Sequence, residues 1–288
     1  MPRIASGDGA RRMSGSTTMT FISNARMYAV SPEAEAEWKD LIGHVAEDAG
    51  ATLDYLTYAA PQPLEELWRR PDLGCVQMCG YPIALGIAEV APLASPVPAA
   101  PWAGGQAVYR SDLIVRKDAP YTTLADTFGG AVGWTIEHSH SGFNALRRHL
   151  LPWRDGGREQ LYGKSVGHLV TARRILDSVL DGSIDIGPLD AYWHMLMRKY
   201  EPALTEGVRI LDSTATAPMP AFVAAPALPE ETVHRLRASF AAAHERPWFG
   251  RFRDTLLIEG FETVTRETFA PTLEWDRAAR AAGYTVPA

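Results

Sequence analysis

Between Thr135 and Phe143 the chain reads TIEHSHSGF, which sets Ser139 and Ser141 on either side of His140 and follows them with Gly142. An apolar stretch, AVGWT, reads as a buried strand leading in, and GFNALRRHLL reads as the helix leading out. Amides at a helix start have no intrahelical acceptor and carry roughly half a positive charge, so two hydroxyls and an imidazole gathered there make a cradle for an anion. The plainer alternative is that Ser139 or Ser141 only caps the helix, although capping requires a single such residue. Tyr28 follows the first strand in a loop, where it either touches a ligand or closes the core edge. Tyr81 lies between Gly80 and Pro82, a turn that aims its ring at a cleft. His168 opens an amphipathic segment, as a ligand donor or a surface cap, and Asp190 precedes AYWHMLMRKY, as its cap or as a partner for a cation. His138 alternates with His140 and reads as facing outward, while Trp134 and Trp193 read as core, with an aromatic wall beside the anion as the alternative.

Other chemistries find little support. A GxxxxGK[ST] loop is absent, and the cluster from Gly129 to Gly133 precedes a strand instead of following one. Tyrosines, a histidine and an aspartate could suit a hard cation, and His138 with His140 gives a faint zinc pattern, but no metal or other cofactor is expected. Cys75 and Cys79 have no second pair with which to build a zinc site and read as two reduced, buried thiols.

The elements that must position these groups alternate. TFISNAR is a first strand, Ser31-Pro32-Glu33 starts a helix, and Ala34, Trp38, Leu41, Ile42, Val45 and Ala49 form its apolar stripe before Gly50. TLDYLTY, PLEELWRR and LGCVQM continue as strand, helix, strand. AVYRSDLIVRKD, AVGWT, HLVTARRILDSVLDG, IDIGP and LDAYWHMLMRKY repeat the pattern, then VRILDS and AFVAA read as strands and the remainder as mainly helical. This is an α/β protein in which a middle segment, about 112 to 206, is inserted between two parts of another unit.

With 288 residues there is room for two lobes. Residues 1–18, rich in Gly, Ser, Thr and Arg, read as a disordered tail. A net charge of −6 with no basic stripe argues against nucleic acid as a partner. The most apolar window, Tyr81 to Gly105, holds five prolines and reads as a loop or short helix, not a membrane span. The N-terminus has no apolar run of signal-peptide length. The expected location is the cytoplasm as written, or the periplasm if a leader is missing, with Met13 and Met19 as further candidate starts.

Several motifs occur together in one order: Tyr109-x-Ser111, an apolar strand, Arg116-Lys117-Asp118, Leu124-Ala125-Asp126, Phe128-Gly129-Gly130, a second strand, then Ser139-x-Ser141-Gly142 and a helix. With Arg26-Met27-Tyr28, DLGCVQMCGYP, Gly167-His168 and the run from Asp185 to Asp190, this order resembles the phosphonate-binding periplasmic solute-binding proteins of ABC importers. The resemblance runs from about Met19 to the last helices. It implies a two-lobed, type II periplasmic-binding-protein-like fold, with two mixed sheets flanked by helices and joined by crossover strands near Gln106–Leu113 and Val208–Asp212. The first lobe would comprise 19–111 and 207–288, the second 112–206.

Carried over residue by residue, Ser139, His140 and Ser141 would hold an oxyanion in the cleft, His168 would add a donor, and Tyr28, Tyr81 and Asp190 would shape the organic end. His140 departs from the family's usual Thr or Ser. Met219 stands where aminoalkyl-phosphonate binders commonly carry an acid, which implies a less cationic organic end or that Asp190 alone serves it. The implied activity is non-enzymatic: closure over a phosphonate-like or other small oxyanion, probed by an ABC permease partner. Two rivals remain at this level. One is a cytoplasmic enzyme on the same scaffold, of lyase or cofactor-biosynthesis type, with His140, His168 and Asp190 as acid–base groups, and the other is a ligand sensor that signals closure to a partner protein.

Overall fold

Apolar strands alternating with amphipathic helices can bury both sheet faces only by laying helices across them. The computed structural model describes residues 19–154 and 159–288, so the tail expected over 1–18 lies outside the described residues. The first lobe starts with β1 (Phe21–Asn24), α1 (Pro32–Asp48), β2 (Leu53–Tyr55), α2 (Leu64–Trp68), β3 (Leu73–Met78), α3 (Gly80–Leu85) and β4 (Ala91–Pro98). A short strand, β5 (Val108–Tyr109), leads to the second lobe: β6 (Ser111–Arg116), β7 (Ala131–Gly133), α4 (Ala145–Leu150), β8 (Lys164–Val166), α5 (Ala172–Leu180), β9 (Ile186–Asp190), α6 (Ala191–Tyr200), α7 (Pro202–Thr205) and β10 (Val208–Ser213). The chain returns through β11 (Ala217–Pro218) to β12 (Ala221–Ala224), α8 (Glu230–Ala242), α9 (Phe249–Thr255), β13 (Ile258–Thr263) and α10 (Ala270–Ala281).

One sheet runs β13-β4-β12-β3-β1-β2 and the other β10-β6-β9-β7-β8. Both are mixed: β1 is parallel to β2 and β3, whereas β12 is antiparallel to β3 and β4, and β6 is antiparallel to β9 and β10. β5 and β11 pair antiparallel as a two-stranded link between the sheets. The fold is the two-lobed α/β arrangement expected.

α1 illustrates how sequence builds it. The Ser31 hydroxyl accepts from the Ala34 amide at 3.2 Å, Pro32 opens the helix, and Trp38, Leu41, Ile42 and Val45 are buried on the core side. Burying each such side chain stabilises the fold by about 1.5–3 kcal/mol. Trp38 meets Phe222 of β12 with ring centres 5.8 Å apart, which ties the early helix to the returning segment.

Three expectations change. Ala91–Pro98, read as loop or short helix, is a strand inside the first sheet. Prolines disfavour that position because they lack an amide donor, and the ladder accommodates them with register irregularities on both sides of β4. The returning crossover is at β11, beyond Val208–Asp212, because β10 pairs with β6 along Val208–Ser213. The second sheet therefore includes a strand that the 206/207 boundary had placed in the first lobe. Beyond α10 the chain also joins the second lobe: Tyr284 is buried in the cluster of Leu113, Val132 and Leu146, and the Leu161 amide donates to the Ala288 carbonyl at 2.9 Å. The remainder is mainly helical as expected, with α8, α9 and α10, and β13 is a further strand there, pairing with β4.

Candidate functional site

The Ser139 hydroxyl accepts from the Gly142 amide at 3.1 Å, and a single π-type turn, His140–Asn144, carries the chain into α4. Gly142 is required here: a β-carbon at that position would stand 2.0 Å from the Thr135 hydroxyl oxygen. Thr135 and Gly142 are further joined by a bond from the Thr135 amide to the Gly142 carbonyl at 3.1 Å. The Ser111 hydroxyl of β6 holds the Ser141 carbonyl at 2.8 Å. Thr135, Ser139, Ser141 and Gly142 all line a cleft of about 730 Å³ between the lobes. The Thr135 hydroxyl oxygen is buried with no hydrogen-bond partner among the described residues. The turn thus presents hydroxyls and a helix start to one hollow, an arrangement that favours negative charge.

Asp190 ends β9 and caps α6. One carboxylate oxygen accepts from the Tyr192 and Trp193 amides at 2.9 and 3.0 Å, and the other accepts from the Tyr28 hydroxyl of the first lobe at 2.9 Å. Burial pushes the Asp190 carboxyl up to about 7, against the pull of these three donors, and nearby Asp112 pushes the same way as burial. Tyr28 and Asp190 both line the cleft, and Tyr28 packs edge-on to Tyr192 at 4.8 Å. Met219 is fully buried outside the cleft lining, with its sulfur 3.9 Å from the Tyr28 hydroxyl.

Tyr81, His140 and His168 do not line this cleft. His140 turns inward, 1% exposed, with its ring centre 6.4, 6.0 and 5.0 Å from those of Tyr81, Tyr109 and Trp275. Asn144 lies 3.2 Å from His140 Nδ1 and also donates to the Thr272 carbonyl at 2.8 Å. An Nδ1 that accepts leaves the proton on Nε2, which has no partner among the described residues. Burial brings the imidazole down to about 3, so it is neutral and supplies no charge to an anion. Tyr81 is buried beside it, since Gly80 and Tyr81 open α3 and are not a turn at the cleft. His168 has a left-handed backbone (φ 60) and an exposed side chain that pairs with Glu137 at 3.0 Å. The helix starts later, at Ala172 with Thr171 as its cap, so His168 is not at a helix N-terminus.

His138, read as outward, faces the cleft and reaches Glu65 of α2 at 3.2 Å, with its ring edge-on to Trp68. Trp193, read as core, lines the cleft while remaining mostly buried, and Trp134 packs on Phe143. Sequence reasoning gave no ligand role to Thr135, Glu65, Glu35 or Arg26. The TI-E-HSHSG run could have pointed to Thr135, because the strand end before a ligand turn faces the same hollow. The cleft's charged side chains have partners within the protein: Glu35 accepts from the Tyr55 hydroxyl at 3.2 Å, Arg173 pairs with Asp177 at 2.8 Å, and Arg26 donates to the Gln62 carbonyl and lies over the Tyr58 ring. Among the described residues no group of three or more His, Cys, Asp and Glu is placed to hold a metal ion. Among them, too, no helix is long and apolar enough to cross a membrane.

Residues 28–269 match the family model described as ABC transporter, phosphonate, periplasmic substrate-binding protein. No curated protein sequence matches. Among solved structures, the chain is similar to a binding-protein component of an ABC phosphonate transporter from Pseudomonas aeruginosa, with 14% identity, a TM-score of 0.75, and coverage of 92% of this chain and 88% of that one. PhnD1 from Prochlorococcus marinus in complex with methylphosphonate gives 14% identity and a TM-score of 0.72 over 91% and 98%. A Xanthomonas citri protein bound to ATP gives 18% identity and a TM-score of 0.62 over 92% and 98%.

Proposed function

This chain belongs to the phosphonate-binding family of periplasmic substrate-binding proteins of ABC transporters, and on that premise we propose that its cleft closes over a small molecule bearing a phosphonate-like oxyanion. The observation that carries the reading is the placement of Ser139, Ser141 and Gly142 at a helix start on the wall of the inter-lobe cleft. Hydroxyls and amides there would hold the oxyanion, Thr135 would add a donor from the strand end, and Tyr28 with Asp190 would close the opposite side. Hydrogen bonds to a charged group contribute about 1.5–3 kcal/mol each, enough for a micromolar complex, about 8 kcal/mol, without any covalent step. The closed form would then be the state read by an ABC permease, with the periplasm as the place of work.

Isothermal titration with methylphosphonate, inorganic phosphate and methanesulfonate tests this. At least one of the three binds the wild-type chain, and the Ser139→Ala/Ser141→Ala double variant loses at least tenfold in affinity. Binding unaffected by the double substitution would sink the assignment of the turn.

A further inference from the structure

The proposed function accounts for one wall of the cleft and leaves most of its volume unexplained. Two contacts span the hollow, Tyr28 to Asp190 at 2.9 Å and His138 to Glu65 at 3.2 Å, so its size is that of lobes already bridged and not of lobes splayed apart. It still holds about 730 Å³. Methylphosphonate occupies on the order of 100 Å³, taking about 30 Å³ for one water as the measure. Pockets of about 300–1,000 Å³ are those of ligands with drug-sized bodies.

The lining away from the turn is largely apolar, with Met27, Pro61, Leu64, Ile136, Trp193 and Met197 contributing. The carboxylates and guanidiniums on that lining are spent on the protein itself. Asp190 uses both oxygens on Tyr28 and two amides, Glu65 takes His138, Glu35 takes Tyr55, and Arg173 takes Asp177. Each already has a partner within the protein, so a ligand ammonium or a second acid would have to share it with the group that holds it.

We propose that the ligand is an oxyanion carrying a large, uncharged and mostly apolar body, aliphatic or aromatic, instead of a one- or two-carbon phosphonate or an aminoalkyl one. This rests on the oxyanion reading of the Ser139–Gly142 turn and adds the class of the organic part. The head would lodge at the turn, and the body would lie between the first-lobe segment around Pro61 and the face of α6 that carries Trp193 and Met197. Apolar area removed from water would then add to the affinity that the head provides.

The test is a titration series on the full chain with inorganic phosphate, methylphosphonate, 2-aminoethylphosphonate, phenylphosphonate and 4-phenylbutylphosphonate. Affinity is expected to rise at least tenfold from methylphosphonate to 4-phenylbutylphosphonate, with 2-aminoethylphosphonate no tighter than methylphosphonate. Ala172→Phe, which adds a ring on the cleft wall, is expected to pull the ratio of the two affinities toward one. Equal affinity for the short and long phosphonates in the wild-type chain overturns the large-body proposal and leaves the oxyanion reading standing. Tightest binding of the aminoethyl compound overturns the uncharged body. No binding of any member of the series overturns both readings together.

Discussion

Two buried titratable groups near the cleft drive stability in opposite directions with pH. Asp190 has its carboxyl raised from 3.8 to about 7, chiefly by burial, so the folded chain binds its proton more tightly than the unfolded one. Its contribution therefore favours folding at low pH and is lost as pH rises from about 4 to about 7, up to about 4 kcal/mol at roughly 1.4 kcal/mol per unit. His140 is lowered from 6.5 to about 3 by burial, so its contribution is complete above 6.5 and lost as pH falls toward 3. Urea midpoints between pH 4.5 and 7.5 separate the two. Relative to wild type, Asp190→Asn gains stability toward pH 7.5, and His140→Gln gains toward pH 4.5. Asn keeps an oxygen for the Tyr192 and Trp193 amides, so the cap survives the first substitution. No difference in slope between Asp190→Asn and wild type would remove the case for a raised carboxyl. At this scale the gathering of Ser139, Ser141 and Gly142 ahead of one helix was readable, because the three lie within one turn of sequence. His140 was not, since its direction depends on Tyr109 and Trp275, which are distant in sequence.

The elements explain why. A helix beginning at Gly142 was the expectation, and the chain instead runs through the wider His140–Asn144 turn before α4, with the Asn144 amide reaching back to the Ser139 carbonyl at 3.0 Å. Such bulges recur at functional sites; here Ser139 and Ser141 line the cleft while the residue between them faces the core. No local pattern encodes that register. The same holds for β4, whose prolines argue against a strand until its partners β12 and β13 arrive from more than a hundred residues later. The helix α10 anchors the turn from outside: Thr272 accepts from Asn144, and Asp276 pairs with the fully buried Arg147 of α4 at 2.5 Å. Breaking a buried pair by removing one partner costs about 3–5 kcal/mol, because the other charge is stranded. Arg280 also holds Asp276 at 2.7 Å, so the substitution that strands a buried charge is Asp276→Leu, which is expected to lower the unfolding free energy by about that amount, with Arg147→Met/Asp276→Leu recovering part of it. A single variant as stable as wild type by urea denaturation would show that this pair does not hold α10 to α4.

For the whole molecule, the sequence carried the two-lobed plan well, because alternating strands and helices leave few ways to cover two sheets. It carried the lobe boundary less well: β10 and the residues after α10 pair by long-range contacts that no single segment advertises. The lobes meet at the short β5–β11 ribbon, at Tyr28 with Asp190, and at Glu65 with His138. A ligand bound between them favours the closed form by its extra affinity for it. Small-angle X-ray scattering is expected to give a smaller radius of gyration for the phosphonate-saturated chain than for the free one. Tyr28→Phe, which removes one bridge, is expected to enlarge the free form further, and identical curves for all three samples would contradict closure. Cys75 and Cys79 are the chain's only cysteines, both free and buried in the first lobe, with burial pushing each thiol up. Maleimide dyes, which attack accessible thiolates, will leave them untouched in the folded protein. A cysteine introduced on the exposed surface of each lobe would then take a donor and an acceptor fluorophore without background, and the distance across the mouth could be followed one molecule at a time.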